Sequence, residues 1–263
     1  MDLELRDKLA LVTGSTAGIG HAIAVALARE GARVIVNGRT GEAVDAAMAA
    51  VRASTGGMVM GFAGDLSEAS AAESLIRQYP AVDILVNNLG IYEVKTFDQI
   101  SDADWRHILD VNVLSGARLA RLCLPHMRSR RWGRIIFISS ESAYHIPTEM
   151  IHYGVTKAAQ IALSRGLAEV TAGSGITVNT VLPGPTRSRG VEEFVSQMAA
   201  ASGKTTQAVE REFFETARPT SLIKRFATPE EVASLVVYVA GTLSSATTGA
   251  ALRVDGGVVK SAF

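Results

Sequence analysis

Apolar and polar positions form alternating blocks along this chain, and most blocks end at a glycine, a proline or a short polar run. Short runs rich in valine, isoleucine and leucine predict strands buried on both faces, as in a parallel sheet. The longer amphipathic or alanine-rich stretches between them predict helices. The predicted strands cover residues 9–13, 33–36, 58–62, 84–86, 135–138, 177–182 and 250–254.

Helix-start signals agree with this alternation of strands and helices. Thr228-Pro229-Glu230-Glu231 has an N-cap residue, proline at the first position and glutamate at N3. Ser101 with Asp104 resembles a capping box, and Ser67 is a candidate N-cap after the third strand. The predicted helices cover 19–30, 41–53, a long stretch from 101 through Asn112 to about 127, and a stretch that contains Tyr153 and continues to about 172.

Strand and helix alternate throughout, which predicts an α/β fold with one doubly wound, Rossmann-like parallel sheet of about seven strands and right-handed crossovers. No linker rich in proline, glycine and serine divides the chain, so residues 1–263 are predicted to form a single domain. Residues 190–217 break the pattern as an irregular, partly helical insertion after a strand end. Ligands bind at such ends, so a substrate lid is predicted at about 187–226.

Composition narrows the functional classes. Lys+Arg and Asp+Glu both number 26, and this balance suggests neither nucleic acid nor an anionic membrane as a partner. The N-terminus lacks an apolar signal region, and no apolar run reaches the roughly 18 residues of a membrane span. The single cysteine, Cys123, lies in an apolar helical stretch and fits a core position in a cytoplasmic protein. No metal-ligand spacing is recognisable, so no metal site is predicted.

A glycine-rich turn follows the first strand and opens the first helix. Its sequence is Thr13-Gly14-Ser15-Thr16-Ala17-Gly18-Ile19-Gly20. Glycines allow the backbone to approach a phosphate closely, and a helix N-terminus supplies free N–H groups and a positive dipole end. The turn therefore predicts a dinucleotide phosphate site, with a plain tight turn as the alternative.

The second strand indicates which dinucleotide is preferred. It ends in Asn37-Gly38-Arg39, without the acid that would bind a ribose 2′-hydroxyl. A guanidinium suits a 2′-phosphate instead, so NADP(H) is favoured over NAD(H). Alternatively, Arg39 lies in solvent or stacks on adenine. Asp65 after the third strand could bind the adenine amino group or belong to the next helix start.

Tyr153 and Lys157 are four residues apart, so they project from the same face of a helix. A nearby ammonium favours the phenolate and lowers the pKa of a tyrosine toward working pH. Ser140, at the end of the fifth strand, could hold a substrate oxygen against that phenol. Taken alone, the Tyr–Lys pair fits an ordinary amphipathic helix. Asn112, polar within an apolar segment, needs a partner and either bonds backbone or joins the site.

Together these residues resemble the short-chain dehydrogenase/reductase superfamily over nearly the whole chain. The motifs that carry the resemblance are the glycine turn, Asp65-Leu66, Asn87-Asn88-Leu89-Gly90, Asn112, Ser140, Tyr153-x-x-x-Lys157 and Pro183-Gly184. The resemblance implies that Tyr153 is the general acid or base, and that Lys157 lowers its pKa and bonds the nicotinamide ribose. It further implies that Ser140 orients the substrate oxygen and that Asn112 holds a water of a proton relay.

The resemblance also implies a cofactor-binding set and a homotetramer. The set is Gly14, Ser15, Thr16, Gly18, Ile19, Gly20, Arg39, Asp65, Leu66, Asn88, Gly90, Tyr153, Lys157, Pro183, Gly184, Thr186 and Ser188. Leu89 stands where the family commonly has alanine, which puts cofactor affinity in question. Ser188 replaces a frequent threonine and keeps its hydroxyl. Ala17 is not the basic residue of many NADP-preferring members.

The function predicted from these residues is an NAD(P)-dependent oxidoreductase that moves a hydride between nicotinamide and a small carbonyl or secondary-alcohol substrate. A 3-oxoacyl-carrier reductase is the first candidate, with Arg131 and Arg134 facing an acidic carrier protein. A sugar, steroid or small-ketone dehydrogenase is about equally plausible. The different-class alternative is a catalytically silent, regulatory dinucleotide-binding protein.

Overall fold

A computed structural model describes residues 2–262, with the side chains of residues 189 and 194 left aside. Within that range the strands are β1 (Leu9–Val12), β2 (Arg33–Gly38), β3 (Val59–Ala63), β4 (Ile84–Asn87), β5 (Gly133–Ile138), β6 (Ile176–Pro183) and β7 (Ala251–Val254). They form one seven-stranded sheet in the order β3-β2-β1-β4-β5-β6-β7, and every neighbouring pair is parallel. The predicted fold class is confirmed.

Helices cover both faces of this sheet. They are α1 (Gly18–Arg29), α2 (Gly41–Thr55), α3 (Ala69–Gln78), α4 (Asp102–Leu109), α5 (Ser115–Arg130), α6 (Ile151–Val170), α7 (Arg189–Ser202), α8 (Thr206–Thr216) and α9 (Pro229–Ala240). One apolar cluster packs α1 and α9 against the sheet, and another packs α3 and α5 against the opposite face. Burial on both faces fits the mainly apolar sequences of β1, β4, β5 and β6, and every residue of these four strands is buried.

The strand order places a ligand-binding crevice between β1 and β4. From β1 the chain winds outward through β2 and β3, and from β4 it winds in the other direction through β5, β6 and β7. At such a switch point the loops beyond the carboxyl ends of the two strands separate and leave an opening. The glycine turn after β1 and the Asn88–Gly90 loop after β4 both lie there.

The predicted long helix at 101–127 is interrupted in the structure. Residues Asp110–Leu114 form a π-helical turn between α4 and α5. A π turn widens the helix and releases a main-chain carbonyl from the regular ladder. Here the carbonyl of Asn112 accepts a hydrogen bond from Gln160 Nε2 at 2.6 Å, so a contact with another helix stabilises the interruption.

Capping differs from the prediction at one helix. Ser67 is not the N-cap of α3; Glu68 occupies that position without a side-chain cap. The hydroxyl and the N–H of Ser67 instead both bond Asp65 Oδ1, at 2.6 and 2.9 Å. The predicted capping signals at Ser101 and Thr228 are both confirmed as reciprocal capping boxes.

The insertion after β6 is more regular than the sequence predicted. Its two helices, α7 and α8, enclose a small apolar cluster of their own that includes Val195, Val209, Phe214 and Phe226. Its two ends meet at a parallel bridge between Thr186 and Ala227. Because entry and exit are joined, the segment forms a compact lobe over the end of the sheet.

Arg134 and Cys123 lie in the interior. Arg134 is 2% exposed at the start of β5, and its guanidinium donates to the carbonyl groups of Gly133, Gly175 and Gly241. It packs on Trp132, whose ring also carries Lys8 at 4.1 Å. The predicted contact of Arg134 with a carrier protein is therefore wrong, because this side chain is enclosed. Cys123 is a core residue as predicted, and burial raises the pKa of its thiol to about 12.

Candidate active site

The glycine turn forms an open backbone cradle at the end of β1. Gly14 and Gly18 adopt φ of +59° and +57°, in the left-handed region that favours glycine. At Gly20 a Cβ would lie 2.5 Å from Asn88 Nδ2 and 2.6 Å from the Gly14 carbonyl oxygen. A side chain is thus disfavoured at Gly14 and Gly18 by backbone conformation and excluded at Gly20 by close packing.

Helix α1 starts in this cradle with a free N-terminus. Its N-cap residue is Ala17, and among the described residues no side chain caps the first turn and no acid lies in it. The uncapped N–H groups and the helix dipole suit a negatively charged group. The cradle therefore fits the pyrophosphate of a nicotinamide dinucleotide.

Two asparagines, the buried Asn37 and the partly buried Asn88, hold the cradle in shape. Asn37 Oδ1 accepts from the Gly14 N–H at 3.1 Å, and its amide donates to the carbonyl groups of Phe62 and Gly64. Asn88 donates to the carbonyl groups of Thr13 and Gly14 at 2.9 and 3.0 Å. The loops after β1, β2, β3 and β4 are thereby tied to one another.

Ser15 and Thr13 support the turn from inside. The Ser15 hydroxyl donates to the Val12 carbonyl at 2.6 Å and accepts from the Asn37 N–H, while the Ser15 N–H bonds the Asn37 carbonyl. Both groups of Ser15 are occupied within the fold, so the structure places Ser15 behind the cradle instead of on its ligand side. The Thr13 hydroxyl accepts from the N–H groups of Asn88 and Leu89.

A cleft continues from the cradle toward β2 and β3. Residues that line it are Gly14, Thr16, Asn37, Gly38, Arg39, Gly64, Asp65, Leu66, Leu89, Gly90, Ile91, His107 and Val111. Arg39 is exposed at this end, and the hydrogen bonds from Ser67 hold the pKa of Asp65 below its usual value. Leu89 borders the cleft and packs on the core, so the loop accommodates its larger side chain.

A pocket adjoins this cleft and is lined by residues that the sequence predicted to be catalytic. Its lining includes Ile19, Asn88, Gly90, Ile91, Tyr92, Ser140, Tyr153, Lys157, Gly184, Thr186 and Ser188. Gly90 and Ile91 border both spaces, which makes one continuous cleft. The structure thus brings Ser140, Tyr153 and Lys157 together at one end of a cleft whose other end carries Arg39.

Tyr153 faces this pocket from the first turn of α6. Its ring lies edge-on to Tyr92, with the ring centroids 6.1 Å apart. Removal of the phenol from bulk water raises its pKa above the ordinary value, and the nearby Glu141 carboxylate acts in the same direction. The Ser140 hydroxyl and the Arg218 guanidinium lower that pKa. Contrary to the sequence-based expectation, burial dominates, and the phenol holds its proton at neutral pH.

Lys157 is buried and held by two acceptors. Its Nζ donates to the Ile138 carbonyl at 2.9 Å and to Gln160 Oε1 at 3.2 Å, and it lies 5.5 Å from the Tyr153 ring centroid. Burial lowers the pKa of Lys157 to about 8. The side chain therefore remains mostly protonated at neutral pH and presents a positive charge beside the phenol.

Asn112 supports the site through its amide. Its Oδ1 accepts from the Ile91 N–H at 2.8 Å, and its Nδ2 donates to the Ile91 carbonyl and to Thr156 Oγ1. Gln160 bridges the Asn112 main-chain carbonyl and Lys157 Nζ. The side chain of Gln160 thus connects Asn112 directly to Lys157.

Residues after β6 close the pocket on its remaining side. Gly184 is packed against the main chain of Asp255, and the Thr186 hydroxyl donates to the Gly184 carbonyl at 2.9 Å. The Ser188 hydroxyl accepts from the Val191 N–H and so caps α7. Pro183 ends β6 at the same rim.

Several side chains of this site were not identified from the sequence. They are Asn37, Tyr92, His107, Gln160 and Arg218. Gln160 had one usable signal, because it lies one helical turn after Lys157 on the same face. His152, which lies between Ser140 and Tyr153 in the sequence, is 1% exposed and packs edge-on to Trp105. Within residues 2–262, both of its ring nitrogens lack a hydrogen-bond partner.

Comparisons with known proteins agree with this geometry. The family model described as short chain dehydrogenase matches residues 8–199. The chain is 46% identical over 264 residues to the uncharacterized oxidoreductase YvrD of Bacillus subtilis (strain 168), an alignment that covers 99% of this chain and 100% of the relative. It is 35% identical over 260 residues to D-beta-hydroxybutyrate dehydrogenase of Cupriavidus necator, covering 97% and 99%.

A solved structure is also closely similar. L-sorbose reductase from Gluconobacter frateurii, complexed with NADPH and L-sorbose, matches with a TM-score of 0.93 at 30% identity. The match covers 99% of this chain and 100% of that one.

Among the described residues, no helix is both long and apolar enough to cross a membrane.

Proposed function

The chain belongs to the short-chain dehydrogenase family, and from that membership we propose that Ser140, Tyr153 and Lys157 perform its chemistry with NADP(H) as the preferred cofactor. It is an NAD(P)-dependent oxidoreductase acting on carbonyl or alcohol groups. The observation that carries the proposal is the single cleft that joins the glycine cradle to these three side chains.

The bound nicotinamide would supply or accept the hydride at carbon. Tyr153 donates its phenolic proton to the carbonyl oxygen in reduction and takes a proton from the hydroxyl in oxidation. Ser140 hydrogen bonds the same oxygen and fixes it next to the phenol. Lys157 places a positive charge near the phenol and stabilises the phenolate when it forms. The raised pKa of Tyr153 keeps the acid form populated, which suits the reducing direction.

Arg39 supports the preference for NADP(H). It is exposed at the cleft end formed by the loops after β2 and β3, where β2 ends without an acid. A guanidinium there can bond a 2′-phosphate through two parallel hydrogen bonds. The similar L-sorbose reductase structure is a complex with NADPH, which agrees with this preference.

The substrate is proposed to be a small polar ketone or the matching secondary alcohol. The pocket wall around Ser140 contains the aromatic Tyr92. Ser140 also bonds Glu141, which forms an ion pair with Arg218. The printed names of similar proteins include a reductase of a ketose and a dehydrogenase of a hydroxy acid. The lobe of α7 and α8, within 187–226, is proposed as the lid over this pocket.

A homotetramer and a cytoplasmic location complete the proposal. Apolar side chains exposed on the α5 and α6 side include Leu114, Val155 and Val170, and those at the end of α9 include Tyr238 and Leu243. Covering such residues between copies would remove apolar surface from water. A chain with one cysteine, present as a buried thiol, suits a reducing compartment.

Fluorescence titration with NADPH and NADH, followed by a turnover screen, tests this function. The screen uses L-sorbose, D-fructose and acetoacetate with NADPH, and the matching alcohols with NADP⁺. We expect tighter binding of NADPH than of NADH and turnover of at least one probe. Binding without any turnover would favour the silent regulatory alternative, and tighter NADH binding would refute the role of Arg39.

A further inference from the structure

A buried carboxylate, Glu141, directly follows the catalytic serine. It is 4% exposed, although a buried carboxylate is costly unless it is paired. Its Oε2 accepts from the Ser140 hydroxyl in a short hydrogen bond, and from the Ser142 N–H at 2.9 Å. The chemistry proposed above assigns it no role, so its position beside Ser140 needs an explanation.

The partner of this carboxylate comes from the lid. Arg218 Nε donates to Glu141 Oε1 at 3.1 Å, and the arginine side chain is 11% exposed. Arg218 lies just beyond α8, where its N–H bonds the Phe213 carbonyl and its own carbonyl accepts from the Ser221 N–H. The lid is therefore linked to the end of β5 through one enclosed ion pair.

This link bears on the direction of one hydrogen bond. The Ser140 hydroxyl has a single proton, and while it donates to Glu141 it can only accept from a group in the pocket. Arg218 bonds the other oxygen of the same carboxylate. Its positive charge therefore weakens the hydrogen bond that the carboxylate accepts from the Ser140 hydroxyl. Loss of Arg218 would leave an uncompensated negative charge next to the serine and the phenol.

We propose that Glu141 and Arg218 are positioning residues that connect the lid to the catalytic serine, so that the seated lid sets the direction of the Ser140 hydrogen bond. The inference rests on the role of Ser140 in the proposed function. It adds that the lid acts on the chemistry through Glu141 as well as by covering the pocket.

The pH dependence of alcohol oxidation separates this role from simple support of the fold. The acid limb of kcat/KM is measured with NADP⁺ and the best probe alcohol for wild type, Arg218→Ala, Glu141→Gln and the double variant. Arg218→Ala exposes the phenol to an unpaired carboxylate and should raise the midpoint by on the order of one pH unit. Glu141→Gln removes the carboxylate charge and keeps the arginine, so it should lower the pH midpoint. The double variant should return close to wild type.

Matched variants control for damage to the lid. Lys204→Ala removes the ion pair of Lys204 with Glu212, which lies on the exposed surface of the same lobe, and should leave the pH midpoint unchanged. Arg218→Lys keeps the charge, so its pH midpoint should lie between those of Arg218→Ala and wild type. Shifts in the same direction for Arg218→Ala and Glu141→Gln, or no shift in either, would overturn the proposal.

Hydrogen–deuterium exchange tests the link without any turnover. In Arg218→Ala, amides of 205–222 and of 139–144 should exchange faster together, whereas Lys204→Ala should affect the lid segment alone. Faster exchange confined to the lid in Arg218→Ala would refute the link to the serine. If wild type turns over no probe, the proposed function fails, and the exchange experiment still decides whether the link exists.

Discussion

The two ends of the cleft are built in different ways. The end between β1 and β2 is formed by main chain, with glycines that admit no side chain and asparagines that tie neighbouring loops. The end at β5 and α6 is formed by polar side chains that come from the π turn, the segment after β5, α6 and the segment after α8. A phosphate needs N–H groups that any sequence supplies once the backbone is open, whereas proton transfer needs particular side chains at particular distances.

Tyr153→Phe should separate the two ends most clearly. Loss of the phenolic proton removes the general acid–base, and we expect kcat to fall by about 10²–10⁴-fold. The Kd of NADPH should change little because the cradle is untouched. Stopped-flow turnover and fluorescence titration measure the two quantities. Tyr238→Phe on the exposed side of α9 is the control, and activity retained in Tyr153→Phe would reject the mechanism.

Lys157→Met tests how much the burial of a charged ammonium near Tyr153 lowers the free energy of unfolding. The pKa of Lys157 falls from 10.5 unfolded to about 8 folded, so below about pH 8 both states hold the proton and the burial cost is fully present. Between about pH 8 and 10.5 the folded state alone releases it. Relative to Lys157→Met, the unfolding free energy of wild type should therefore rise by up to roughly 3 kcal/mol from pH 7 to 10.5. Urea unfolding at both pH values checks this, and a constant difference would contradict it.

Gly20→Ala should disturb the main-chain end. Its Cβ would meet Asn88 and the Gly14 carbonyl at under 3.0 Å, so we expect a loss of about 1–3 kcal/mol in unfolding free energy and weaker NADPH binding. Gly166→Ala in α6 is the matched control, because its Cβ would have nothing within 4 Å. That control should stabilise the protein by roughly 0.5–1 kcal/mol. Equal effects of the two variants would show that the packing at Gly20 is not critical.

Arg39→Ala should give the smallest effect and sharpen the comparison within the main-chain end. We expect the Kd of NADPH to rise about tenfold more than that of NADH, because only NADPH carries the 2′-phosphate. Arg77→Ala, an exposed arginine on α3, is the control and should change neither value. Parallel losses for both nucleotides would assign Arg39 a role other than phosphate binding.

Much of the fold, and the location of both ends of the cleft, could be predicted from the sequence because the determinants are local. The apolar runs predict the strands, the glycine spacing predicts the turn, and the four-residue spacing predicts that Tyr153 and Lys157 share a helix face. Each of these signals lies within one element or one loop. The periodicity of apolar residues and the positions of glycines are therefore enough to predict the order of strands, turns and helices along the chain.

The tertiary structure decided which polar groups meet across the molecule. Asn37 bonds Gly14 across 23 residues, Gln160 reaches Asn112 across 48, and Arg218 reaches Glu141 across 77. The burial of Arg134 likewise depends on carbonyl groups from Gly175 and Gly241. A local pattern cannot specify such partners, because the same polar residue is stable in solvent or in the interior depending on what the fold places opposite it. The order of elements therefore followed from the sequence, and the hydrogen-bond partners of the catalytic end followed from how those elements pack.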